Sequence, residues 1–145
     1  GKPPVLDRKN EQKVQSFCRE LIQKDLISSA HDCSEGGLAV AVAESCFSPG
    51  CETLGASLMI ESTLRNDSLL FGETQSRIIV SFSKEQINAI KDLAKDFSVD
   101  FSLIGIVGGS HLTITINGKE VVKQEIELLK EIWKNSLGNY ARQTT

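Results

Sequence analysis

No stretch of this 145-residue chain stays apolar for long. The longest run, Gly37 to Ala43, falls far short of the roughly 20 residues that a bilayer-crossing helix needs. The first residues, Gly1-Lys2-Pro3-Pro4, are polar and stiff where a secretory leader needs an apolar stretch. The prolines read instead as a linker at a domain boundary. An excess of one charge is also missing. Sixteen basic and 19 acidic residues give a net charge of −3, with both signs scattered along the chain. No basic patch suggests nucleic acid, so neither nucleic acid nor membrane is an expected partner. There is no CxxC pair. Cys18, Cys33, Cys46 and Cys51 are spaced unlike a zinc site, even with His31 beside Cys33. A core of this size needs no disulfide staples, so four reduced thiols and a cytoplasmic location are expected. Histidine is scarce, with only His31 and His111, and no nucleophile–base pair emerges. The expectation is therefore no catalytic residue and no metal ligand set within this chain.

What is present is an ordinary globular composition, 40% hydrophobic and 24% charged, at a length suited to one domain spanning 1–145. No internal repeat or low-complexity segment interrupts it. Residues 11–27 carry Val14, Phe17, Cys18, Leu21 and Ile22 at helical spacing, which predicts one apolar stripe. A loop over 28–37 leads into residues 38–44, apolar on every side and hence a buried helix, ended by Ser48-Pro49-Gly50. Strands are expected at 54–61, 77–82, 101–107 and 111–116, with a polar stretch at 62–76. Between the second and third strands lies a helix with Ile87, Ile90, Ala94 and Phe97 inward. Ser83 is its expected cap, with Gln86 as capping-box partner. Asn117-Gly118 is a tight-turn signal that lets residues 119–122 pair back. A last helix over 124–137 has Ile126, Leu129, Trp133 and Leu137 on one side. Paired strands separated by helices give an α+β fold, a mixed sheet of about four main strands packed with helices.

Two segments concentrate polar chemistry. The first is His31-Asp32-Cys33-Ser34-Glu35-Gly36-Gly37. Ser34 is the expected N-cap of the buried helix, and the glycines permit close backbone approach. Free N–H groups at a helix start favour an anion. Asp32 and Glu35 would repel a bare phosphate unless a cation lay between, and they are equally suited to satisfying the helix start themselves. No Gly-Lys-Ser/Thr follows, so this is not a P-loop. The second segment is Leu70-Phe71-Gly72-Glu73-Thr74-Gln75-Ser76-Arg77. Arg77 suits a phosphate or carboxylate, and Glu73 a metal or hydroxyl. An Arg77–Glu73 pair bracing the loop fits the same residues. The two segments are expected to converge on one face. The candidate nucleotide- or phosphate-binding residues are Asp32, Ser34, Glu35, Gly36, Gly37, Gly72, Glu73, Thr74, Gln75 and Arg77.

Together these segments resemble the phosphoribosylformylglycinamidine synthase family. Residues 31–39 look like its HD-[VL]-S-[DE]-GG-LA stretch, and residues 70–77 like its LFGE-S-Q-x-R stretch. Cys33 and Thr74 depart conservatively from the usual Val or Leu and Ser. The resemblance covers nearly the whole chain, including the Ile104–Gly109 strand and turn and the Trp-containing helix. It implies the last of four domains in a synthetase built from two AIR-synthase-like units. The parent would use ATP and magnesium to amidate formylglycinamide ribonucleotide with glutamine-derived ammonia. In that family the working ATP and magnesium ligands lie mostly on other domains, so the isolated chain is expected to be inactive and to bind no cofactor tightly. The alternatives are a non-catalytic packing or pseudo-dimerisation module, or the equivalent domain of another AIR-synthase-superfamily enzyme. Implied partners are the other domains of the synthetase. No glutaminase domain follows Tyr140-Ala141-Arg142, as expected of the small form, which works with a glutaminase subunit and a small accessory subunit.

Overall fold

The computed structural model describes residues 6–47 and 53–143, with side chains through residue 136. The expected Ser48-Pro49-Gly50 stop, Cys51, the Pro3-Pro4 linker and the Leu137 side chain lie outside the described residues. By its own contacts the chain divides into two compact units. One comprises Gly1–Ala41 with Arg65–Leu103, the other Val42–Leu64 with Ile104–Thr145.

The first unit opens with α1 (Arg8–Gln23). It starts three residues earlier than expected because Asp7 caps it, accepting from the N–H groups of Lys9 and Asn10 at 3.0 and 3.1 Å. It ends four residues earlier than expected. Asp25 takes the left-handed conformation, at φ 52°, and the Leu26 N–H returns to the Leu21 carbonyl. Glycine usually marks such a stop, and none is present. Val14, Phe17 and Leu21 are buried, whereas Ile22, expected in the stripe, is exposed.

Strand β1 (Ser29–Asp32) corrects the loop expected over 28–37. It pairs antiparallel with β3 (Ile78–Ser81), His31 opposite Ile79. The pairing is long-range, and the strand lacks apolar alternation, so no local pattern announces it. Helix α2 (Gly37–Cys46) follows, and the boundary between the two units falls within it. The polar stretch at 62–76 holds a further correction, the short helix α3 (Asn66–Phe71).

After β3, Lys84–Gln86 form a 3-10 turn leading into α4 (Ile87–Phe97). The expected side-chain cap from Ser83 does not form; its carbonyl accepts the Gln86 N–H instead. Helix α4 ends on another non-glycine left-handed residue, Ser98. Ile90 and Ala94 pack with Phe17 and Leu21 in one core cluster, bordered by half-buried Phe82, Phe97 and Phe101.

The second unit is built on a four-stranded sheet in the order β4 (Gly105–Val107), β2 (Ala56–Ile60), β5 (His111–Ile116), β6 (Lys119–Glu125). It is mixed, as expected: β2 and β5 run parallel, and the other pairs are antiparallel. Ala56, Leu58, Leu112, Ile114 and Ile116 alternate with more exposed residues, so one face is buried. Residues 101–104, expected in the third strand, are irregular, which leaves β4 short. Asn117 and Gly118, both at positive φ, turn the chain into β6. Strand β6 runs three residues beyond the expected 122. Helix α5 (Ile126–Gln143) completes the unit. Ile126 is buried and Leu129 half-buried, but Trp133 is half-exposed, its ring tilted against Phe47 with centroids 5.8 Å apart and its indole N–H donated to Glu44.

Candidate functional site

Both chemically loaded segments belong to the first unit, and the structure brings them together. The segment after β1 folds through Cys33–Gly36 into the start of α2. The segment after α3 runs through Gly72–Arg77 into β3. Because β1 and β3 are paired, the two loops emerge side by side. The Cys33 N–H to Arg77 carbonyl bond, at 3.0 Å, carries the pairing one residue further.

The closest link is made by Glu73. Its carboxylate accepts the Gly36 N–H at 2.8 Å, immediately before the first residue of α2. A negative group at that end of a helix is favoured by the unpaired N–H groups and the helix dipole. Neither Asp32 nor Glu35 makes this contact with Gly36, as the sequence reading had suggested for the helix start. Ser34 is not the cap either. It lies three residues before Gly37, and its hydroxyl donates to the Asp32 carboxylate. The positive φ values of Gly36 and Gly37 keep the chain from turning helical sooner, so the cap position falls at Gly36 and not at Ser34.

Those glycines have a steric reason. A side chain on Gly37 would stand 2.7 Å from the Leu70 carbonyl oxygen and from the Phe71 backbone. The start of α2 and the end of α3 therefore meet backbone to backbone, which glycine alone permits.

Arg77 is half-buried and donates to two carbonyls, Gly72 and Leu69, each at 3.1 Å. It closes the C-terminal end of α3, where a cation is favoured. Arg77 and Glu73 thus each brace the loop, but through backbone groups and not as the ion pair that the sequence suggested. Ser76, at φ 64°, donates its hydroxyl to Glu11 on α1 at 2.6 Å. That bond, with a second from Gln15, holds the Glu11 carboxyl below its usual range. Sequence reading missed Ser76 and Glu11 as a pair, since 65 residues separate them and no local signal joins them.

Glu35, Thr74 and Gln75 are exposed beside this framework. His31 places Nδ1 2.7 Å from the Asp32 carbonyl oxygen. Cys33 is buried, and burial pushes its thiol pKa up, with Arg77 pulling the other way and Asp32 adding to the rise. Burial has the same effect on Cys18 and Cys46. All three are free thiols. Among the described residues, no group of three or more His, Cys, Asp or Glu is placed to hold a metal ion, and no helix is long and apolar enough to cross a membrane.

The family model "AIR synthase related protein, C-terminal domain" matches residues 1–117. The chain belongs to this family. A relative in Moorella thermoacetica, "Phosphoribosylformylglycinamidine synthase subunit PurL", is 43% identical over 137 residues, covering 94% of this chain and 18% of its own length. The chain thus spans under a fifth of that relative. Among solved structures, "T. maritima PurL complexed with FGAR" superposes with a TM-score of 0.75 at 21% identity, over 87% of this chain and 22% of that one. "T. maritima PurL complexed with ATP" gives 0.74 at 21% identity, over 86% and 22%. At that identity the likeness establishes the family's fold, here an α+β arrangement with a mixed four-stranded sheet.

Proposed function

We propose that this chain is one AIR-synthase-like C-terminal domain of a phosphoribosylformylglycinamidine synthase, the ATP-dependent ligase that amidates formylglycinamide ribonucleotide in purine biosynthesis. The observation that carries the reading is the 43% identity to a subunit of that name across nearly the whole chain. The T. maritima relatives solved with FGAR and with ATP support the same substrate and nucleotide. The HD-x-S-E-GG and GETQ-x-R segments argue against the other AIR-synthase-superfamily enzymes.

In this reading the parent works in the cytoplasm with ATP and magnesium, and its other domains complete the site. If the parent is the small form, a separate glutaminase subunit and a small accessory subunit work with it to supply ammonia. The contribution of this chain is positional. Glu73 and Arg77 hold the two loops rigid, and the exposed Glu35, Thr74 and Gln75 face the nucleotide or a neighbouring domain. Asp32, Ser34, Gly36, Gly37 and Gly72 shape the same surface.

A second reading, a packing module without a ligand of its own, is favoured by one contact. Glu73 already occupies the helix start that an incoming phosphate would use.

The test is an exchange. The matched segment of the M. thermoacetica subunit is replaced by this chain, and amidine formation is assayed with ATP, magnesium and ammonia. The chimera should form amidine, whereas the isolated 145-residue chain should form none. A soluble, folded chimera without activity would overturn the assignment.

A further inference from the structure

The four-stranded sheet has two edges, and they are built differently. The β6 edge carries Lys119, Glu120, Lys123 and Glu125, and its register with β5 slips between Ile114 and Thr115. Charges and a bulge are the usual means of keeping another strand off an exposed edge. The β4 edge carries no charge, and its one two-for-one pairing lies past the strand, where Gly55 bonds both Gly108 and Gly109. Residues 101–110 contain no charged residue and no proline. Ile106 is 75% exposed and Val107 59%, and Met59 on neighbouring β2 is 76% exposed.

Among the described residues, nothing pairs with the outward backbone groups of this edge. The Met59 N–H donates to the Ile104 carbonyl at 2.8 Å, and the Gly108 N–H to the Gly55 carbonyl at 2.7 Å. Antiparallel ladders alternate, so residues 104, 106 and 108 direct their backbone groups toward β2. Gly105 and Val107 direct theirs away from it.

We propose that β4 pairs with β4 of a second copy of this chain, antiparallel about a twofold axis at Ile106. That axis sets Gly105 opposite Val107 of the copy on both sides of the centre. These are the two residues with outward backbone groups, so four N–H···O bonds form. Each Val107 side chain stands beside a glycine that presents no competing side chain. Ile106 meets its own counterpart. It lies on the face that carries Ser57, its β2 partner, and Met59 two residues on, so both copies add apolar surface to one patch. An uncharged edge meets its twin without like-charge repulsion. The product is a continuous eight-stranded sheet. With so short a seam the buried area is below that of standard interfaces, so the dimer is weak and concentration-dependent.

Sedimentation of the 145-residue chain tests this from about 10 μM to about 1 mM, where weak complexes populate. The mass average should climb from 15.8 kDa toward twice that value. Ile106→Lys should weaken association by at least about tenfold, a loss of about 1.4 kcal/mol. Val107→Pro, which removes one outward N–H and is compatible with a monomeric edge strand, should do the same with unchanged circular dichroism. Lys123→Ala, on the opposite edge, should change nothing. A chain that remains monomeric throughout would overturn the proposal, and any partner for β4 would then be a different polypeptide segment. A dimer indifferent to both β4 variants would also overturn it.

Discussion

Gly37 and Gly109 adopt nearly the same left-handed backbone, at φ +72° and +75°, in different surroundings. A methyl group on Gly109 would meet nothing within 4 Å. Gly109→Ala should therefore cost only the conformational term, about 1–2 kcal/mol. A methyl on Gly37 would collide with the backbone at the end of α3, which has no rotamer with which to retreat. Gly37→Ala should cost at least about 2 kcal/mol more, because overpacking adds to the conformational term. Urea unfolding of the two variants checks this, and equal losses would mean that the close approach of α2 to α3 contributes nothing. The same contrast separates the candidate residues. The Gly-Gly pair was legible as a place of close approach. Arg77 was legible as a donor, but its acceptors, Gly72 and Leu69, were not, because they depend on how α3 ends.

At the scale of elements, α1 and α4 were legible on their buried faces and less so at their ends. Their stripes predict Phe17, Leu21, Ile90 and Ala94 inward, and these form the shared cluster. Ile90 is fully buried, so Ile90→Ala should cost about 2–5 kcal/mol, whereas Ile90→Val should cost about 0.5–1.5. Ile22, on α1 but 57% exposed, should tolerate Ala within about 0.5 kcal/mol despite its apolar character. Thermal and denaturant unfolding of the three variants would expose a wrong assignment of the buried face if the Ile22 and Ile90 variants lost equal stability. The helix ends escaped because Asp25 and Ser98 occupy left-handed positions where the sequence offers no glycine. Short α3 escaped because six residues between polar loops carry too little periodicity to stand out.

For the whole molecule, the question is whether this surface takes a nucleotide without its neighbours. Glu73 holds the helix start and Arg77 is committed to carbonyls, so an incoming polyphosphate finds few uncommitted donors here. Calorimetric titration of the chain with ATP and magnesium should give a dissociation constant no tighter than about 1 mM, near −4 kcal/mol. Gln75→Ala, a change at an exposed residue, should weaken any measurable binding several-fold. No heat up to saturating nucleotide, with the chain folded, would favour the packing module. Micromolar binding would show that the chain carries a complete site.

The sequence by itself determined the mixed α+β class, the inward faces of α1 and α4, the alternating core strands and the turn at Asn117-Gly118. Each is written in spacing a few residues long, where local sterics and apolar period govern. It also singled out the two polar segments. Only the tertiary structure decided that β1 exists, that Glu73 serves the start of α2, and that Ser76 reaches Glu11. These contacts join residues 37 to 65 positions apart. A polar strand or a lone carboxylate acquires its role from the partner that folding brings to it.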